Sequence, residues 1–131
     1  MTLPRALAAL FAFATSIATA HAIPADAASL SGSWSGGGKV QYGDTREKAS
    51  CRARFSRSGS AYSMSAACAT PSGRVDQSAE VFEVGPNRYR GNFVNSQYGI
   101  SGTISISVRG DTMSVSLSGG SSTGSLQLSR R

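Results

Sequence analysis

From Tyr98 to Leu117 the chain alternates apolar and polar residues almost without a break. Tyr98, Ile100, Gly102, Ile104, Ile106 and Val108 are separated by Ser101, Thr103, Ser105 and Ser107; Met113, Val115 and Leu117 then alternate with Ser114, Ser116 and Ser118. A period of two is the mark of a half-buried strand. Between the two runs stands Gly110-Asp111, glycine first, which suits a two-residue type II′ turn. That turn sets Val108 opposite Met113, Ile106 opposite Val115 and Ile104 opposite Leu117, with every apolar side chain on one face. Two independent alternations agreeing across one turn fix the register.

The same reasoning applies around Gly59-Ser60. If that dipeptide is the turn, Phe55 faces Met64, Ala53 faces Ala66 and Cys51 faces Cys68, while Arg52, Arg54 and Ser56 occupy the other face against Ala67, Ser65 and Ser63. Directly opposed residues hold their Cβ atoms close enough for a disulfide, so the pattern predicts Cys51–Cys68. Elsewhere the signals are weaker. Leu30–Ser35 and Lys39–Tyr42 read as one strand interrupted at Gly36-Gly37-Gly38 by a bulge or sharp bend. Residues 87–95 form a strand that turns through Asn95-Ser96, which places Tyr89 over Gly102. Ala79–Val84 is a strand without clean parity. A loop over Gly119–Gly124 leads to a last strand with Leu126 and Leu128.

These segments predict an all-β domain, a small eight-stranded antiparallel up-and-down barrel (a meander) stapled by one disulfide. Closing the meander removes its two exposed edges. Eight strands enclose just enough space for side chains or one small ligand. Ala53, Ala66, Gly91 and Gly102 are small and face inward, where they make room for Trp34, Tyr89 and Phe93 or leave a modest pocket.

The first residues add an address. Met1–Arg5 is basic, Ala6–Ile17 is an apolar run, and Ala20-His21-Ala22 is a small-residue cleavage site, the plan of a secretory signal peptide over residues 1–22. The run is about twelve residues, short of the roughly 20 needed to span a bilayer. The expected organisation is therefore a cleaved leader, a flexible segment over 23–29 and a barrel over 30–131. The expected product is exported, periplasmic or extracellular, with no membrane span, and monomeric. Disulfides persist in such compartments.

Losing the leader removes His21, the only histidine, and Arg5, which lowers the net charge of +6 by one. Without imidazole a Ser-His-Asp or Cys-His site cannot be assembled, and the usual zinc ligand sets are gone. Disulfide formation removes the thiols as well. Glu80 and Glu83 differ in parity, so a regular strand separates them, and no carboxylate pair is marked out for glycoside chemistry. The reading is of a non-enzyme without cofactor or metal. Gly36-Gly37-Gly38-Lys39 lacks the spaced glycine and hydroxyl residue of a phosphate loop, and Arg109-Gly110-Asp111 is explained by the turn it makes.

The basic balance favours an anionic partner. Lys48, Arg52, Arg54, Arg88 and Arg90 have outward parity and form a candidate anion-binding face. Inward parity of most aromatics, together with export, speaks against nucleic acid, which usually wants exposed rings for stacking.

Leu30-Ser31-Gly32-Ser33-Trp34 carries a Gly-x-Trp element on the first strand. With a leader and one disulfide, it resembles the lipocalin and avidin-type barrels, and among these the small bacterial periplasmic inhibitors of secreted metalloproteases. The resemblance implies an eight-stranded barrel with Trp34 plugging one end, and a free segment (Ile23, Pro24, Ala25 and Asp26 onward to Ser29) that enters a protease cleft. The ending Leu126–Arg131 fits it, with Arg130 as a basic residue closing the barrel near the tryptophan. Three functions follow as expectations: a protein-interaction or inhibitor-type module, a small-ligand carrier using the barrel interior, or a binder of polyanions or cell surfaces through its arginines.

Overall fold

A computed structural model describes residues 30–131 and, before them, positions 2, 12 and 14–16. The expected leader cleavage site and the 23–29 segment lie outside the described residues. Eight strands follow one another: β1 (Gly32–Tyr42), β2 (Thr45–Ser58), β3 (Ala61–Thr70), β4 (Gly73–Gly85), β5 (Arg88–Asn95), β6 (Ile100–Arg109), β7 (Thr112–Gly119) and β8 (Ser122–Arg130). Each pairs antiparallel with the next, and β8 pairs back onto β1, so the sheet is a closed up-and-down barrel.

The two hairpins with short glycine turns have the registers their alternation dictates. Ile104 pairs with Leu117, Ile106 with Val115 and Val108 with Met113. Gly110 takes φ +61°, as the first position of a type II′ turn requires. Cys51 pairs with Cys68, Ala53 with Ala66 and Phe55 with Met64, and the Cys51–Cys68 disulfide is formed.

Three expectations are corrected. The Gly36-Gly37-Gly38 stretch holds no bulge: β1 runs unbroken, paired residue for residue to β2 and β8. The glycines serve close approach instead. A Cβ on Gly36 would lie 2.0 Å from the Gln127 carbonyl oxygen, and one on Gly38 would lie 1.9 Å from that of Ser125. The seam that closes the barrel thus bends tightly where β1 has no side chains, as strongly curved sheets need.

The β5–β6 turn is longer than Asn95-Ser96. Asn95 pairs with Ile100 across residues 96–99, so Phe93, not Tyr89, lies opposite Gly102, and Tyr89 faces Ile106. The shift is even, so inward residues stay inward, but each partner changes. Tyr98 leaves the strand and is exposed. Finally, Gly119 and Gly124 belong to strands, and the turn between β7 and β8 is only Gly120-Ser121.

The missing parity in Ala79–Val84 has a cause. β4 starts earlier, at Gly73, and alternates regularly, with Val75 and Val81 buried; Phe82 and Val84 are apolar residues on its outer face, so hydrophobicity alone conceals the parity. The register against β5 slips past Val81 and Phe82, between Glu83 and Gly85.

The interior is filled. Leu30, Trp34, Phe55, Met64, Val81, Phe93, Ile104, Met113 and Leu128 form one buried cluster with the disulfide. The void inside, beside Val40, Phe93, Asn95 and Leu117, measures about 20 Å³, room for about one water. The two ends differ. At one end Trp34 is fully buried, its indole N–H donates to the Leu30 carbonyl at 3.0 Å, and the Arg130 guanidinium lies 4.3 Å from the ring centroid. Arg130 also donates to the Ser31 carbonyl and pairs with Asp111 at 3.5 Å. The other end, around Tyr42, Glu47, Tyr98 and Ile100, is open.

Candidate functional site

Outward residues on neighbouring strands line up in rows about 4.7–4.9 Å apart, and the registers show which basic residues meet. One row runs Ser33, Arg54, Ser65, Ser78, Val94; the next runs Ser35, Arg52, Ala67, Asp76. Arg52 and Arg54 therefore stand beside the short Ser65 and Ala67 on β3, with Ser78 and Asp76 beyond them on β4. The low floor makes a groove of about 560 Å³, and Arg74 and Arg131 join Arg52 and Arg54 around it. Arg131 is anchored where its backbone N–H donates to the Ser33 carbonyl at 2.9 Å. Asp76 is the one carboxylate in the lining and is paired with Arg74 at 3.0 Å.

Arg88 and Arg90 do not reach this groove. Three strand steps separate β5 from β2, and Arg90 pairs with Phe82 on β4, at the far end of that strand from Asp76. They line a second groove of about 500 Å³. Its rows run Arg90, Ser105, Ser116 and Arg88, Ser107, Ser114. The expected single arginine face is thus two faces, each an Arg-x-Arg strand beside a floor of small side chains. Lys48 belongs to neither. It lies directly opposite Lys39 on the outside of β1–β2, continuing the basic line of Arg54 and Arg52 toward the open end.

Sequence reasoning missed Arg74 and Arg131. Arg74 opens a strand whose first half carries little alternation, and Arg131 comes beside Ser33 only through barrel closure. The aromatic residues in the two linings, Trp34 and Tyr89, are buried, and the exposed Tyr98 and Phe82 lie outside both, so neither groove offers an aromatic platform for stacking bases.

The open end collects a different chemistry. Tyr42, Thr45, Glu47, Thr70, Ser72, Val75, Tyr98 and Ile100 surround a recess of about 340 Å³. Tyr42 is held above the ordinary tyrosine value, first by burial, then by the nearby charge of Glu47 and by Tyr98. Near the other end Tyr89, edge-on to Tyr62 at 5.7 Å, is raised for the same leading reason, with Tyr62 and Glu83 adding to it and Arg57 opposing. Among the described residues no group of three or more His, Cys, Asp or Glu is placed to hold a metal, and no helix is long and apolar enough to cross a membrane.

No family model and no curated protein matches the chain. Among solved structures it is similar to a de novo designed fluorescence-activating β-barrel, with a TM-score of 0.60 at 16% identity over 77% of this chain and 93% of that one. That likeness carries the barrel fold. The likeness to metalloprotease inhibitors therefore extends no further than a β-barrel.

Proposed function

We propose that this protein is a non-catalytic, exported binding module that grips an extended polyanion in the groove between β2 and β4. One observation carries the reading: Arg52, Arg54, Arg74 and Arg131 surround a groove with a low, uncharged floor and a single carboxylate. Guanidinium groups bind phosphate, sulfate and carboxylate through paired N–H donors. Arg88 and Arg90 provide a second, independent grip, and two grips on one polymer raise avidity beyond either alone. The net charge, +6 for the full chain and +5 without the expected leader, favours the encounter at long range.

A carrier using the deep interior has little support, since the void there holds about one water. The inhibitor-type reading rests on residues 23–29, outside the described part, and loss of inhibition on deleting them is its own test. The polyanion reading is tested by titrating heparin into the protein over a range of salt. Affinity should fall steeply as salt rises. Arg52→Ser with Arg54→Ser should weaken binding roughly tenfold or more and flatten the salt dependence. Absence of binding at low salt, or a double variant that binds like the parent, would refute the proposal.

A further inference from the structure

Glu47 has the inward parity of Cys51 and Phe55, yet it is a carboxylate. It stands at the open mouth, on the second inward rung of β2 opposite Val40, in a recess otherwise walled by two tyrosines, Val75, Ile100 and hydroxyl side chains. Its Oε1 accepts the Ser72 hydroxyl. Its Oε2 is shut off from solvent and has no hydrogen-bond partner, and no Lys or Arg lines the recess. A carboxylate oxygen denied both water and a donor is an expensive feature, and a ligand that supplies the donor removes the cost.

The surrounding wall is built in advance. The Asp76 amide donates to the Gln97 side chain at 2.8 Å, which ties the 96–99 loop to β4. The Tyr98 amide donates to the buried Asn95 side chain at 3.3 Å. Gly43 donates to the Ser121 carbonyl across the rim. Burial first, and then the negative charge of Glu47, hold Tyr42 above its ordinary value in this space.

We propose that the recess binds a small organic ammonium ion. The Glu47 carboxyl turns on its side chain to bring Oε2 into the recess, where it accepts the ligand's N–H; the carbon skeleton packs against Val75 and Ile100, and the rings of Tyr42 and Tyr98 flank the cation. Aromatic faces attract ammonium groups, and about 340 Å³ falls at the small end of ligand sites. The ligand is opposite in charge to the one assigned to the arginine grooves and sits elsewhere on the barrel, so either assignment stands if the other fails.

The test uses the whole protein and three probes of one shape: 2-phenylethylammonium, neutral 2-phenylethanol and anionic 3-phenylpropionate. Titration followed by NMR should show saturable shifts at Tyr42, Val75, Tyr98 and Ile100 with the ammonium ion. The alcohol should bind roughly tenfold more weakly, the value of a charge-assisted hydrogen bond, and the carboxylate weaker still. Trp34 emission should stay unchanged, because Trp34 is sealed at the opposite end. Glu47→Gln should weaken the ammonium ion by a similar roughly tenfold factor. No saturable ammonium binding in the millimolar range overturns the proposal. So does equal binding of the alcohol, a comparison that needs no variant to fold, and so does a Glu47→Gln protein that binds as tightly as the parent.

Discussion

Opening the Cys51–Cys68 bond separates two roles that the disulfide plays at once. As a cross-link it closes a segment with a sequence separation of 17. The chain-entropy relation gives about 3 kcal/mol at 25 °C for a loop of that size, by restricting the unfolded chain. As a buried object it fills space, and most of its neighbours on the inner wall are small: Gly36 opposite Cys51 on β1, and Ala49 and Ala53 on β2. Only Val75, opposite Cys68 on β4, has side-chain atoms that could lean into a vacated volume, and its branched side chain fills little of it. Reduction keeps both sulfur atoms in place and loses only the cross-link, so it should cost about 3 kcal/mol. Cys51→Ala with Cys68→Ala also empties the space, at a further cost of about 1–2 kcal/mol for the small cavity. Urea unfolding of the oxidised, reduced and double-alanine forms resolves the three levels. The reduced form should melt about 12–24 °C lower, at 4–8 °C per kcal/mol for a domain of this size, with a larger urea slope because the freed chain exposes more surface. A reduced protein within about 1 kcal/mol of the oxidised one would refute the loop-closure reasoning. A double-alanine form no weaker than the reduced one would refute the space-filling reasoning.

Two other outcomes follow from the structure. Gly38→Ala should cost about 2–3 kcal/mol, because its Cβ meets the β8 backbone. Gly124→Ala meets only the Leu117 and Val40 side chains at 3.3–3.5 Å beside a small void, and should cost under about 1 kcal/mol; equal costs in chemical denaturation would count against close strand approach as the reason for the glycines. Tyr42 and Tyr89 lie above the ordinary value of 10.0 in the folded state, so the folded protein keeps their protons after the unfolded chain has lost them. Stability should therefore be full below pH 10 and fall as pH rises through the higher folded values. Tyr42→Phe with Tyr89→Phe should flatten that decline in thermal melts, and an unaltered decline would rule these phenols out as its source.

What the sequence reveals about this barrel depends on how far apart in the chain the cooperating residues are. Parity across Gly59-Ser60 and Gly110-Asp111 specifies two registers and the disulfide, because a two-residue turn leaves no freedom in the pairing. Across residues 96–99 the same arithmetic keeps the faces and loses the partners. Gly99, at φ +64°, is the residue that carries the longer turn, and it sits among enough turn-forming neighbours to be overlooked. The arginine-lined groove follows the same rule. Arg52 and Arg54 are readable as outward from one hairpin, but Arg74 needs the start of β4, and Arg131 needs β8 to reach β1. Closure has no local signature, yet it decides what the chain ends do: it lays Arg130 over Trp34 and brings Arg131 to Ser33. Glu47 is the instructive omission. It shares the parity of Cys51 and Phe55, so its place on the inner wall was legible, and a charge on a predicted inner face is the kind of local conflict that sequences keep where a site is worth its cost in stability. In this barrel that conflict stands at the open end and not behind Trp34, so one mouth is sealed while the other holds the recess for which an ammonium ligand is proposed.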